Sequence, residues 1–343
     1  MSGANGRRVG VAVAGATGYI GMQCVALAAE HPRLQVTRVM ARSTAGQRYS
    51  DVVPGSGIDL VIGGDDDPGD ADVVLCALPH TVAASHADAW LSAGKVVVDM
   101  SADFRLRDVG LWERTYGVTH PAPELTKRAV YGLVELHRDE LRDANLIAAP
   151  GCYPTASILA TAPAVRSGLV EPDVILDCKS GVSGAGRSPT LGVHFSEVNE
   201  SVHAYGVDGH RHKTEMEQEL RLLADGSVRV TFVAHLIPMT RGILATAYLR
   251  PREGVTHDEI RALYDETYGP QPCVRVDATP PRTKSVSGTN VAAVNAGWQD
   301  GVAVITCAVD NLVKGAAGQG IQALNVRMGW DETEGLPLRA SWP

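Results

Sequence analysis

Through its first half the chain alternates short apolar runs with longer stretches of mixed polarity. Arg8 to Ala14 (RVGVAVA), Leu34 to Met40 (LQVTRVM), Asp72 to Ala77 (DVVLCA), Lys95 to Asp99 (KVVVD) and Asn145 to Ala149 are short and rich in aliphatic residues, which predicts strands. Met22 to Glu30, ending before Pro32, and the alanine-rich Thr81 to Ala93 are helix-compatible. Strand and helix in turn predict an α/β domain with a parallel sheet and crossover helices. Thr155 to Val165 is again helical in pattern, and beyond it the texture changes. Strand candidates at Val174 to Cys178, Val228 to Leu236, Ile243 to Leu249 and Val302 to Val309 are more widely spaced, with a helix predicted over Thr256 to Tyr268. That predicts a second, mixed α+β domain with antiparallel pairing. The segment after Lys314, GAAGQGIQALNVRMG, predicts a closely packing helix that returns to the first domain. The expected division is therefore 1–150, 151–312 and 313–343.

At 343 residues, 45% of them hydrophobic and 20% charged, the chain is long enough for two domains that need no staples. Its 31 basic and 39 acidic residues leave a formal charge of -8. That balance gives no reason to expect a nucleic-acid or membrane partner, while leaving room for a local basic pocket. No apolar stretch reaches about 18 uninterrupted residues, so no transmembrane helix is expected. The run behind Arg7 and Arg8 lasts only from Val9 to Ala14, which reads as a first strand and not a signal peptide, in a cytoplasmic protein. Cys24, Cys76, Cys152, Cys178, Cys273 and Cys307 are scattered and form no CxxC pair, so no disulfide framework is expected.

The first run leads into Gly15-Ala16-Thr17-Gly18-Tyr19-Ile20-Gly21. Glycines at 15 and 18 let the backbone approach a pyrophosphate, whose charge then meets exposed helix N–H groups, and Gly21 permits close helix–strand packing. The spacing is GxxGxxG and not the commoner GxGxxG. Alone it fits a structural turn; the strand before and the helix after favour a dinucleotide site. The second run ends in Met40-Ala41-Arg42-Ser43-Thr44, with no acidic residue to receive ribose hydroxyls. A guanidinium beside hydroxyls suits the extra phosphate of NADP; the alternative is a plain surface loop. Pro79 and His80 follow the third run, at the strand end where ligands of open sheets bind. His80 lines that crevice or merely serves the loop.

Ala149-Pro150-Gly151-Cys152-Tyr153-Pro154-Thr155 places a cysteine between a strand candidate and a helix candidate. A thiol at a helix N-terminus has a lowered pKa and becomes nucleophilic, and such a nucleophile wants a base nearby. The richest histidine cluster is Gly209-His210-Arg211-His212-Lys213-Thr214-Glu215. It suits an acid/base site, a solvated loop, or two metal ligands; the last needs a further ligand, and no second Cys/His cluster lies close in sequence. Ser180-Gly181-Val182-Ser183-Gly184-Ala185-Gly186-Arg187 can present backbone N–H groups and hydroxyls to a phosphate. Arg105 and Arg241 can engage oxyanions, although each alone fits a surface ion pair. Together these parts suggest cysteine attack on an activated acyl carbon, departure of an oxyanion, and hydride reduction of the thioester to an aldehyde.

GATGYIG at 15–21, LPH at 78–80, DMSADFR at 99–105, YGL at 131–133, APGCYPT at 149–155, KSGVSGAGR at 179–187, GHRH at 209–212, HLIPMTRGI at 235–243 and DNLVKGAAGQ at 310–319 closely resemble the N-acetyl-gamma-glutamyl-phosphate reductases of arginine biosynthesis, over essentially the whole chain. The resemblance implies an N-terminal Rossmann-like NADP-binding domain and a second catalytic and oligomerisation domain, related to the aspartate-semialdehyde dehydrogenases. It implies NADPH-dependent reduction of N-acetyl-L-glutamyl 5-phosphate to the 5-semialdehyde, with Cys152 carrying the thioester and His212 as acid/base. Substrate or phosphate contacts fall on Arg105, Ser183, Gly184, Arg187, His210, Glu215 and Arg241. Cofactor contacts fall on Gly15, Thr17, Gly18, Tyr19, Ile20, Gly21, Arg42, Ser43, Pro79, His80, Asn311 and Gly315. No metal is implied, and family members are homodimers or homotetramers.

One departure is visible. The family commonly follows GHRH with a proline–glutamate pair, where this chain has Lys213-Thr214-Glu215. Threonine suits a helix N-cap or first turn, so activity is expected to survive. Two competing readings are a lysine-pathway enzyme acting on a substrate one carbon longer, and a catalytically silent NADP-binding sensor. A sensor would need neither Cys152 nor His212, and both are present.

Overall fold

The aliphatic runs of the first half become parallel strands. In the computed structural model, which describes residues 7–64, 66–224 and 226–341, they are β1 (Val9–Ala14), β2 (Leu34–Met40), β3 (Val73–Cys76), β4 (Val96–Asp99), β5 (Val130–Tyr131) and β6 (Leu146–Ala148). Met1–Gly6, Asp65, Asp225, Trp342 and Pro343 lie outside the described residues. Hydrogen bonding orders the sheet β2-β1-β3-β4-β6-β5, every pair parallel. Helices α1 (Tyr19–Glu30), α2 (Tyr49–Val52), α3 (Val82–Ser92), α4 (Val109–Tyr116) and α5 (Val134–Leu141) connect the strands. A parallel sheet covered on both faces buries every position of its inner strands. β3 and β4 are buried throughout for that reason. Strand order reverses between β1 and β3, which places the ligand end of this sheet beyond Ala14 and Cys76.

The second unit is built on α6 (Cys152–Ser167), buried over nearly its whole length. Pro163 lies inside this helix and has no N–H to offer Leu159 O. A tyrosine hydroxyl takes that place, as Tyr268 donates to Leu159 O. Around α6 run β7 (Asp173–Ser180), α7 (Phe195–Val198), β8 (His203–Tyr205), α8 (Arg211–Arg221), β9 (Arg229–Leu236), β10 (Ile243–Leu249), α9 (His257–Tyr268), β11 (Val274–Val276), β12 (Ala292–Gln299) and β13 (Val302–Val309). The sheet order is β11-β12-β13-β10-β7-β9-β8. Pairing is antiparallel except at β7–β9 and β11–β12. The expectation of antiparallel pairing is corrected there. β7 and β9 are joined through α8, and a crossover helix returns the chain in the same direction.

α10 (Gly318–Arg327) follows a π turn at Val313–Ala317. It packs on α1, α5, β4 and β6. The described residues through Pro150 group with Ala316–Leu336 as one unit; Gly151–Gly315 and the residues after Leu336 form the other. Among the described residues no helix is long and apolar enough to cross a membrane.

Candidate active site

In the first unit, the glycine turn is shaped by backbone approaching backbone. Gly15 has φ +75°, and a Cβ there would stand 2.4 Å from Ala77 O, across the β1–β3 switch point. A Cβ on Gly21 would stand 2.0 Å from Gly15 O, so only glycine lets α1 come this close to the turn. α1 starts at Tyr19, three residues before the Met22 expected, with Gly18 as N-cap. No side chain caps this terminus and its first turn holds no acidic residue. The first-turn N–H groups, on Tyr19, Ile20 and Gly21, have no intrahelical acceptor. An end left this way receives an anion. Arg42 and Ser43 lie exposed on a short turn of 3-10 helix directly after β2, beside the β1 end. Thr17 lies in the glycine turn between β1 and α1. The donor set and the close backbone approach fit a dinucleotide with an additional phosphate.

Pro79 and His80 lie exposed between β3 and α3. Thr81, the N-cap of α3, holds φ +71°, rare for a β-branched residue. Asp103 holds it in place: one carboxylate oxygen accepts Thr81 N–H at 2.7 Å and the other accepts Ala84 N–H at 2.9 Å. Arg105 donates from Nε to Ala149 O and from Nη2 to Met100 O, each at 2.9 Å. Both of these bonds go to backbone carbonyls of its own unit, one of them at the start of the APGCYPT stretch. The DMSADFR stretch therefore frames the loops at the strand ends. Asp103 was the missed residue; only Arg105 stood out in the sequence, because a buried acid capping a distant helix leaves no local pattern.

In the second unit, α6 begins at Cys152 itself, three residues before the Thr155 expected, with Gly151 as N-cap. Pro154 fits because its fixed φ suits a first turn, where its missing N–H costs nothing. Thr155 closes the turn, donating from both N and Oγ1 to Gly151 O. The positive end of the helix favours an anion at Cys152. Gly315 makes room for it: a Cβ there would stand 3.0 Å from Cys152 Cβ. Glu215, buried in the second turn of α8, accepts Gly151 N–H at 2.8 Å. That bond ties the start of the cysteine helix to the histidine helix. His212 is buried in the first turn of α8, its ring 5.9 Å from that of Tyr153. His210 lies just outside as the N-cap, so Thr214 is a first-turn residue and not the cap.

The glycine-rich loop 181–186 is zipped to 239–242. Gly181 N donates to Gly242 O, Val182 N to Met239 O and Ser183 N to Thr240 O. A Cβ on Gly181 would meet Arg241 N at 2.9 Å. Asn311 clips the two loops together, accepting Gly242 N–H at 2.7 Å and donating to Ser183 Oγ at 3.0 Å. Since Ser183 Oγ accepts here, its own O–H is the donor it can turn to an anion. Gly184 and Arg187 lie exposed on the same loop. Arg241 pairs with buried Asp310 at 3.1 Å. The structure thus brings Ser183, Arg241 and Asn311 together through these loops, and Cys152, His212, Glu215 and Gly315 around the start of α6. Among the described residues no three His, Cys, Asp or Glu side chains converge as a metal-ligand group.

Each of the two units is matched by a known domain family. The semialdehyde dehydrogenase NAD-binding domain family matches residues 10–144, and the semialdehyde dehydrogenase dimerisation domain family matches residues 152–311. Among solved structures, aspartate semialdehyde dehydrogenase II from Vibrio cholerae, complexed with ASA, superposes with a TM-score of 0.71 at 15% identity, covering 94% of this chain and 99% of that one. An aspartate semialdehyde dehydrogenase with NADP from Candida albicans gives 0.67 at 16% identity, covering 93% and 98%. At such identity the likeness is one of fold. Sequence relatives are nearer. The N-acetyl-gamma-glutamyl-phosphate reductase of Dehalococcoides mccartyi is 45% identical over 332 residues, 95% of this chain and 97% of its own. That of Symbiobacterium thermophilum is 46% identical over 337 residues, with the same coverage. Identity of this extent, sustained through both units, means that the chain belongs to the N-acetyl-gamma-glutamyl-phosphate reductase family.

Proposed function

We propose that the chain catalyses the NADPH-dependent reduction of N-acetyl-L-glutamyl 5-phosphate to N-acetyl-L-glutamate 5-semialdehyde and phosphate, a step of arginine biosynthesis. The observation that carries this reading is Cys152 as the first residue of α6, in a chain 45% identical to a named reductase over 95% of its length. Cys152 Sγ attacks the acyl carbon, the bond to the phosphate oxygen breaks, and a thioester forms. His212 supplies the proton taken by the departing phosphate. Ser183, Gly184 and Arg187 hold that phosphate, with Arg241 braced beside them by Asp310. The turn at Gly15, Thr17, Gly18, Tyr19, Ile20 and Gly21 holds the cofactor's pyrophosphate, and Arg42 and Ser43 its additional phosphate. When bound, NADPH supplies the hydride that reduces the acyl group. The C–S bond then breaks, and Cys152 returns as a thiolate favoured by the helix end.

The enzyme works as a homodimer or a pair of dimers in the cytoplasm. Support for the assembly comes from the dimerisation-domain family matched by the second unit, and from Ile175 and Tyr248, cross-strand neighbours exposed on its sheet. The test of the whole reading runs the reaction backwards, following NADPH formation from the semialdehyde and phosphate. Cys152→Ser should lower the rate by more than about 10³-fold while NADPH binding is retained. Near-normal turnover would overturn the assignment. A preference for the one-carbon-longer aldehyde would move the substrate to the lysine-pathway homologue.

A further inference from the structure

The loop that enters α8 is built around the ring of His210. Nδ1 of that ring accepts the backbone N–H of His212 at 3.1 Å, capping the helix. A ring nitrogen that accepts carries no proton, so the neutral imidazole bears its hydrogen on Nε2. The ring is boxed by others. Its centroid lies 5.8 Å from that of Tyr153, 5.7 Å from Tyr205 and 5.2 Å from Phe232, all edge-on, and 4.9 Å from His212. Tyr153 and Tyr205 are themselves joined, hydroxyl to hydroxyl, at 2.9 Å. Gly206, with φ +61°, leaves the necessary space: a Cβ there would meet His210 Cδ2 at 3.0 Å. The imidazole is thereby held in one orientation, with its acceptor facing the first turn of α8 and its body against the residue after Cys152.

We infer that His210 is a positioning residue that sets the first turn of α8, and with it His212, and that it exchanges no proton with the substrate. The inference rests on the reading of His212 as the acid/base. His212 occupies the second helical position, where a backbone N–H has no intrahelical acceptor. The cap supplies that acceptor and so fixes the backbone from which the His212 ring projects. Asparagine or serine would cap as well but would leave the box between Tyr153 and Phe232 empty, which accounts for an imidazole here. Burial, and secondarily the adjacent Arg211, lowers the His210 pKa to about 4, so the acceptor is available throughout the neutral range. Protonation would turn Nδ1 into a donor facing another donor. The other groups facing the ring are Tyr153, Tyr205 and His212.

The test compares two variants of the full enzyme with opposite losses. His210→Phe keeps a ring and loses the acceptor; His210→Asn keeps an acceptor at the cap and loses the ring. His210→Phe is expected to lower kcat on the order of 10²-fold with KM nearly unchanged, as for a small misplacement of a reacting group. His210→Asn is expected to recover most of that loss. Equal losses in both variants, or a rise in KM with kcat kept, would overturn the inference in favour of a substrate ligand. His212→Asn is run beside them. If it retains activity, the acid/base assignment fails, and the cap is then decided without turnover. Nitrogen chemical shifts of labelled histidines should show His210 as the Nε2–H tautomer at neutral pH, whereas an Nδ1–H tautomer would sink the cap.

Discussion

Desolvation drives the thiols of Cys24 and Cys76 well above their ordinary range and pushes Cys178 up to about 12. These are side chains that pack as small hydrophobes and stay protonated. Cys152 is the half-buried cysteine at a helix start, while the other five are buried. Its position next to Gly151 and Pro154 made that legible beforehand. The His210 cap was not legible, because capping depends on the backbone conformation at 210 and histidine is not among the usual cap residues. Arg42 stands out in the sequence because no acidic residue follows β2, and its place at the additional phosphate is part of the proposed function. Its exposure on the turn leads to a direct expectation: Arg42→Ala should weaken NADPH about tenfold and leave NADH unchanged. A fluorescence titration with both cofactors checks this, and equal weakening of the two would remove Arg42 from the 2′-phosphate site.

Helix boundaries depended on interactions a periodicity cannot register. Both α1 and α6 begin three residues earlier than expected, each directly after a glycine N-cap, and in α6 with a proline in the first turn. β12, AAVNAGWQ, went unread for a related reason: alanine, glycine and asparagine have little strand propensity, and β13 supplies its pairing. The tyrosines of α9 belong to this scale too. Tyr268→Phe removes the donor that serves Leu159 O, whose usual helical partner Pro163 lacks. The variant should lose about 1–2 kcal/mol of stability with kcat unchanged. Denaturant unfolding measures it, and an unaltered midpoint would mean that the carbonyl finds another donor.

Across the whole molecule, the least expected charge is the buried carboxyl of Asp99, raised to about 7 by burial first and by Asp103 second. Its folded pKa exceeds the unfolded one, so the folded state holds the extra proton between about pH 4 and pH 7. Stability from this group is greatest at the acid end and is lost as pH rises through 7. Asp99→Asn keeps an acceptor for Ser101 N–H, which Asp99 receives at 2.8 Å. The variant should match the parent near pH 4.5 and exceed it at pH 8 by on the order of a few kcal/mol. Thermal unfolding at the two pH values decides, and a gap that narrows with pH would contradict the sign. The parallel sheet and its ligand end were determined by the sequence alone. Strands covered by helices on both faces are apolar over nearly their whole length, and only glycine tolerates carbonyls where Gly15 and Gly21 meet them. Which side chains would meet was decided by the tertiary structure. Glu215 reaches Gly151 across 64 positions and Asn311 reaches Ser183 across 128. Contacts so distant leave no periodic trace, because closing a longer loop adds little further cost and so imposes no particular spacing.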